Sequence, residues 1–81
     1  MPRAVLAVVI TSEEKVLFDG TAESVTFPGE EGTFEVLPLH RPLVSRLFAG
    51  PIVIDGRELM IRRGVVRVAD DEVIAAVEVP D

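Results

Sequence analysis

The sequence has no cysteine, no tryptophan and no tyrosine, and a single histidine and a single lysine among its 81 residues. Without cysteine there is no disulfide framework, no thiol nucleophile and no thiolate metal site. One histidine, His40, with carboxylates only at loop spacing, argues against a zinc site, and His40 reads as a solvent-facing loop residue at a contact surface. No apolar run approaches the roughly 18 residues that suggest a membrane span; the longest at the start, Ala4–Ile10, has seven. Arg3 is the one basic residue before that run and no small-residue cleavage site follows it, so the start reads as a mature N-terminus. Positive charge is scarce: 8 basic residues against 14 acidic ones give a net charge of −6. That balance argues against nucleic acid, which needs a basic patch, and against adsorption to anionic lipid.

What is present is aliphatic. Hydrophobic residues make up 48% of the chain, with only four Phe as aromatics, so the core is built from Val, Ile and Leu. That mix favours strands. A chain of this size is one domain, residues 1–81, with one thin core and no room for a deep cleft. Ala4–Ile10 is rich in β-branched residues and reads as a strand. Lys15–Ala22 follows, with a bulge or kink expected at Asp19-Gly20. Ser24–Phe27 alternates cleanly, Pro28-Gly29 signals a turn that Glu30-Glu31-Gly32 extends, and Thr33–Leu37 alternates again. Pro38 and Pro42 bracket a rigid, exposed connection. Leu43–Phe48 is a short strand. Asp55-Gly56 joins a hairpin, and Asp70-Asp71 turns Val65–Val68 into Val73–Val79. Eight to ten short strands with frequent turns predict an all-β sandwich or barrel.

No pattern carries catalysis. Glu13-Glu14, Glu30-Glu31 and Asp70-Asp71 are adjacent pairs, which on extended chain point to opposite faces and cannot share a proton. Ser12, Ser24 and Ser45 have no base but His40, and no G-x-S-x-G elbow exists. The glycines form neither a P-loop nor a dinucleotide fingerprint. Arg62-Arg63, with Arg57 nearby, reads as an exposed face. These residues describe a small acidic all-β binding or assembly module. A free-standing carrier domain of the biotinyl or lipoyl kind is the alternative, with Lys15 as the only modifiable lysine.

The stretch Ser24-Val25-Thr26-Phe27-Pro28-Gly29-Glu30-Glu31-Gly32-Thr33-Phe34-Glu35-Val36-Leu37-Pro38-Leu39-His40-Arg41-Pro42-Leu43 resembles the signature of the epsilon subunit of F-type ATP synthases, called delta in mitochondria. That family shows Ser-Val, then Pro-Gly, a variable pair, Gly, and later Val-Leu-Pro-x-His-x-Pro-Leu. Lys15–Gly20 is similar to its second strand and Arg63–Val68 to its glycine-led closing hairpin. The chain departs from the family where Glu35 and Leu39 stand in place of glycine. The resemblance implies a ten-stranded β-sandwich at the foot of the central stalk, on the cytoplasmic face of the membrane. It implies the gamma subunit and the c-ring as partners in a proton- or sodium-driven rotor, with no catalysis of its own and no cofactor. Carried over residue by residue, it places Glu30, Glu31, Gly32, Thr33, His40 and Arg41 on the c-ring side. Leu39, Leu47 and Phe48, read as outside the core, are candidates for the gamma side. The family continues into two regulatory C-terminal helices, some of which bind ATP. This sequence stops at Asp81 with no stub of a helix, which reads as a natural short form, a truncated longer chain being the alternative, and in either case as a chain without ATP binding.

Overall fold

Aliphatic segments cut by short turns become nine strands in the computed structural model, which describes residues 4–81. They are β1 (Leu6–Thr11), β2 (Val16–Ala22), β3 (Val25–Gly29), β4 (Gly32–Val36), β5 (Leu43–Leu47), β6 (Gly50–Ile54), β7 (Arg57–Ile61), β8 (Arg63–Ala69) and β9 (Glu72–Glu78). Among the described residues no helix forms. The reading of the first three residues as part of a mature N-terminus falls outside the described residues.

The strands hydrogen-bond in the order β2-β1-β9-β8-β5-β3-β6-β7, with β4 on the other edge of β3. The sheet curls so that β2-β1-β9-β8-β5 and β4-β3-β6-β7 face one another, the β-sandwich expected. The two layers meet at a single pair, Gly29 with Leu47. Strands β1 and β9 lie side by side and parallel, Ala7 to Glu72 through Thr11 to Ala76, so the first and last strands brace each other. Strict alternation builds the interior. In β9, Val73, Ala75 and Val77 are buried while Glu72, Ile74, Ala76 and Glu78 face out. Leu6, Val8 and Ile10 of β1, Phe27 of β3 and Ile52 and Ile54 of β6 complete one continuous apolar core. Phe27 is fully buried and stacks on Phe34 directly across the β3–β4 ladder, ring centroids 5.6 Å apart.

Two turns differ from expectation. Asp19 and Gly20 sit in regular register opposite Val9 and Val8, with no bulge. The irregularity lies at Leu17, where Ile10 pairs with Phe18 but Thr11 with Val16. The extra residue lets both Leu17 and Phe18 lean on the core, which plain alternation forbids to neighbours. The Pro28-Gly29 turn is also displaced: both residues belong to β3, and the turn is Glu30-Glu31 alone. Pro28 is tolerated because its carbonyl points away from β4 and accepts the Phe48 N–H at 2.8 Å. In an antiparallel ladder N–H and C=O of one residue point the same way, so its missing donor costs no β3–β4 bond.

The Asp55-Gly56 hairpin forms as predicted, with positive φ at both residues (47° and 85°). Asp55 also fastens the turn to a distant one. Its carboxylate accepts the N–H groups of Glu23 (2.9 Å) and Ser24 (3.0 Å), and its own N–H donates to the Ser24 carbonyl at 3.1 Å. Replacing Asp55 with alanine removes two charge-assisted bonds and leaves a left-handed residue without compensation. Urea unfolding is expected to show a loss of about 1.5–3 kcal/mol; a loss under about 0.5 kcal/mol would show the clamp to be idle.

Candidate functional site

The β3–β4 ladder places the predicted contact residues. Gly29 faces Gly32 at one end and Val25 faces Val36 at the other. The turn Glu30-Glu31 therefore caps the first end, and the loop 37–42 leaves from the second. About 13 Å of strand separates them, at ~3.3 Å per residue. The two segments, expected together, lie at opposite ends of β4. A shallow groove nevertheless runs between them, with Glu30, Glu31, Gly32, Thr33 and His40 on its walls and Val44 and Arg46 of β5 along it. Arg41 is exposed but does not line this groove.

The loop itself is held in detail. Pro38 occupies the second position of a turn, Leu39 the third with φ 70°, and the His40 N–H donates to the Leu37 carbonyl at 3.1 Å. That is a type II turn, whose third position normally takes glycine. Leucine in left-handed backbone costs about 1–2 kcal/mol. The cost is partly offset from across the fold: Asp71, in the β8–β9 turn, accepts the Leu39 N–H on Oδ1 at 2.7 Å. Asp71 is itself left-handed (φ 60°), as is Asp70 (φ 51°), and the Asp71 carbonyl accepts the Ala7 N–H. In the sequence Asp70-Asp71 reads only as a turn between two strands, and an aspartate pair in a two-residue hairpin turn is the one local signal for this further role. The His40 ring closes on its neighbour, with Nδ1 2.7 Å from the Arg41 carbonyl. A carbonyl only accepts, so that contact has the proton on Nδ1.

The three apolar candidates part company. Leu39 is 85% exposed, the most exposed large hydrophobic residue described, and Phe48 is half exposed at the opposite end of the sandwich. Leu47 is a correction: it is 1% exposed and belongs to the core. In β5 the alternation puts Val44 and Arg46 outside and turns Leu47 inward, at the pair that joins the two layers. Leu47 cannot contact a partner without opening the fold.

The outer face of β5, β8 and β9 carries Val44, Val65, Ile74 and Ala76 with Arg46, Arg63 and Arg67. Arg63 pairs with Glu78 at 2.9 Å across the β8–β9 ladder, an exposed bridge worth under about 1 kcal/mol. Lys15 lies exposed in the β1–β2 turn, its N–H donating to Ser12 Oγ at 3.3 Å. Among the described residues no group of three or more His, Asp or Glu side chains is placed to hold a metal.

Comparison with known proteins fits this architecture. Residues 5–79 match the family described as ATP synthase, Delta/Epsilon chain, beta-sandwich domain. The chain is 44% identical over 78 residues to the ATP synthase epsilon chain of Nitratiruptor sp., covering 90% of this chain and 60% of the relative. It is 37% identical over 90 residues to that of Bordetella petrii, covering 96% and 64%. The chain thus spans about 60% of the length of such relatives. Among solved structures, a chain from the mitochondrial ATP synthase of Euglena gracilis (OSCP/F1/c-ring) superposes with TM-score 0.82 at 20% identity, over 95% of this chain and 52% of that one. One from the central stalk/c-ring of the Tetrahymena thermophila enzyme gives 0.74 at 19%, over 96% and 66%. At these identities the structural likeness speaks to fold alone, and it is the same sandwich. With the family match running from Val5 to Val79, this chain belongs to the ATP synthase delta/epsilon β-sandwich family.

Proposed function

We propose that this chain is a rotor component of an ion-driven ATP synthase, joining the gamma subunit to the membrane c-ring and passing torque between them without catalysing a reaction. The observation that carries this reading is the family match across residues 5–79, laid on one unbroken ladder of nine strands. A torque element must resist shear, and here the first and last strands pair with each other rather than fray. The protein would sit peripherally on the cytoplasmic face of the membrane, held by its partners.

The ring-facing element in this reading is the turn Glu30-Glu31-Gly32-Thr33; His40 lines the same groove only from its far end. Both glutamates are exposed at a strand-end tip, free to meet basic and amide groups on the ring loops. His40 and Arg41 leave the ring-side set, because both lie in the loop at the far end of β4. Each exposed ion pair is worth about 0–1 kcal/mol, so the two glutamates act by number and register rather than strength.

The test is co-expression with the gamma subunit and c-ring of the same organism. The wild-type chain is expected to co-purify with gamma. Glu30→Lys together with Glu31→Lys is expected to weaken ring binding by roughly tenfold at low salt, with the difference shrinking as salt rises. A chain that never co-purifies with gamma sinks the rotor reading. Ring affinity indifferent to the double reversal sinks the assignment of the turn.

A further inference from the structure

Leu39 is disfavoured twice over. Its backbone sits in the left-handed region that the third position of a type II turn reserves for glycine. Its side chain is 85% exposed. Neither feature helps the isolated fold, and glycine would serve the turn better. Yet the loop is built to hold this residue in place. Pro38 and Pro42 fix its flanks, the His40 N–H closes the turn onto Leu37, and Asp71, 32 residues away, pins the Leu39 N–H at 2.7 Å. An exposed apolar side chain on a strained and pinned backbone has the properties of a preorganised anchor: its backbone loses little freedom on binding, and the side chain leaves water only when a socket receives it.

We infer that Leu39 is a specificity anchor that inserts into an apolar socket on the gamma subunit. This rests on the rotor reading and deepens it. The choice of gamma follows from the geometry. With the Glu30-Glu31 turn toward the ring, the loop at the opposite end of β4 points away from it. The surroundings select a protein socket over a lipid surface. Asp70, Asp71 and Asp55 lie at the same end of the sandwich, in a chain of net charge −6, and anionic headgroups are repelled there. Leu37, half exposed beside the turn, extends the apolar contact.

The test separates strain from contact. Leu39→Gly removes the side chain and the strain; Leu39→Asn keeps similar size and tolerates left-handed backbone but is polar; Leu39→Met remains apolar. Each is compared with the wild-type chain for urea unfolding and for affinity to the gamma subunit of the same organism. Leu39→Gly and Leu39→Asn are expected to fold at least as stably as wild type, yet to bind gamma about 10- to 100-fold more weakly, the loss of one buried leucine. Leu39→Met is expected to stay within about threefold, as a volume-conserving apolar swap. Undiminished gamma affinity for the glycine and asparagine variants overturns the inference. So does binding to phosphatidylcholine–phosphatidylglycerol vesicles that depends on Leu39. A wild-type chain that fails to bind gamma overturns the rotor reading itself, and is told apart because it needs no variant.

Discussion

Phe27→Ala is expected to cost the domain a large share of its stability. Phe27 is the largest fully buried side chain, and it is central in three ways. It lies in β3, the strand that pairs with β4, β5 and β6 and so ties the two layers together. It stacks on Phe34, 5.6 Å away, and that ring loses its partner when Phe27 goes. And it faces a core made otherwise of Val, Ile, Leu and Ala, none large enough to fill a benzyl-sized void. Such truncations cost about 3–5 kcal/mol. At roughly 0.05–0.15 kcal/mol per residue, a domain this size has about 4–12 kcal/mol in hand. In a thermal melt the midpoint should fall by about 12–40 °C, at ~4–8 °C per kcal/mol. Phe34→Ala, at a half-buried position, should lose less. A midpoint within about 5 °C of wild type for Phe27→Ala would mean that the core closes over the gap, and would contradict a seam at β3.

How far the sequence revealed this fold depends on whether a feature is local. The Asp55-Gly56 hairpin and the alternating burial along β9 are written in neighbouring residues, and both were legible. The stretch Ser24–Leu43 disclosed the family because its Pro-Gly and Pro-x-His-x-Pro spacings fall in one continuous segment. Leu47 was misread although its neighbours held the answer: Arg46 outside forces Leu47 inside. Asp19-Gly20 looked like a bulge by composition, but Gly20 fits a regular ladder and the bulge went to Leu17, where two adjacent apolar side chains both needed cover. Other features were out of reach in principle. Nothing local says that β1 and β9 pair in parallel, or that Asp71 reaches back to Leu39. The site suffered likewise. Glu30–Thr33 and His40–Arg41 are close in sequence, and only the β3–β4 register shows that a strand length divides them.

Gly64→Ala is the other substitution with a large expected effect, and its cause is steric rather than a lost contact. Gly64 lies near the start of β8, between Leu47 of β5 and Val77 of β9 in the larger layer. A Cβ built there falls 2.6 Å from the Ala76 carbonyl oxygen, 2.8 Å from Val77 Cγ1 and 3.1 Å from Val77 Cα. Two of those atoms are backbone and cannot rotate aside. Relief requires β8 and β9 to separate, which breaks the ladder carrying the Arg63–Glu78 pair and strains the Leu47 junction between layers. The expected cost is about 3 kcal/mol or more, at the upper end for overpacking. Val66→Ala offers the contrast: it deletes fully buried methyl groups in the same strand without any clash. Hydrogen exchange separates the two mechanisms. Gly64→Ala should lose protection locally, along β8, β9 and the Leu47 end of β5, beyond what its global destabilisation explains. Val66→Ala should lower protection evenly through the core. If Gly64→Ala leaves the β8–β9 amides as protected as those of β1, the close approach at this position is not what holds the two strands together.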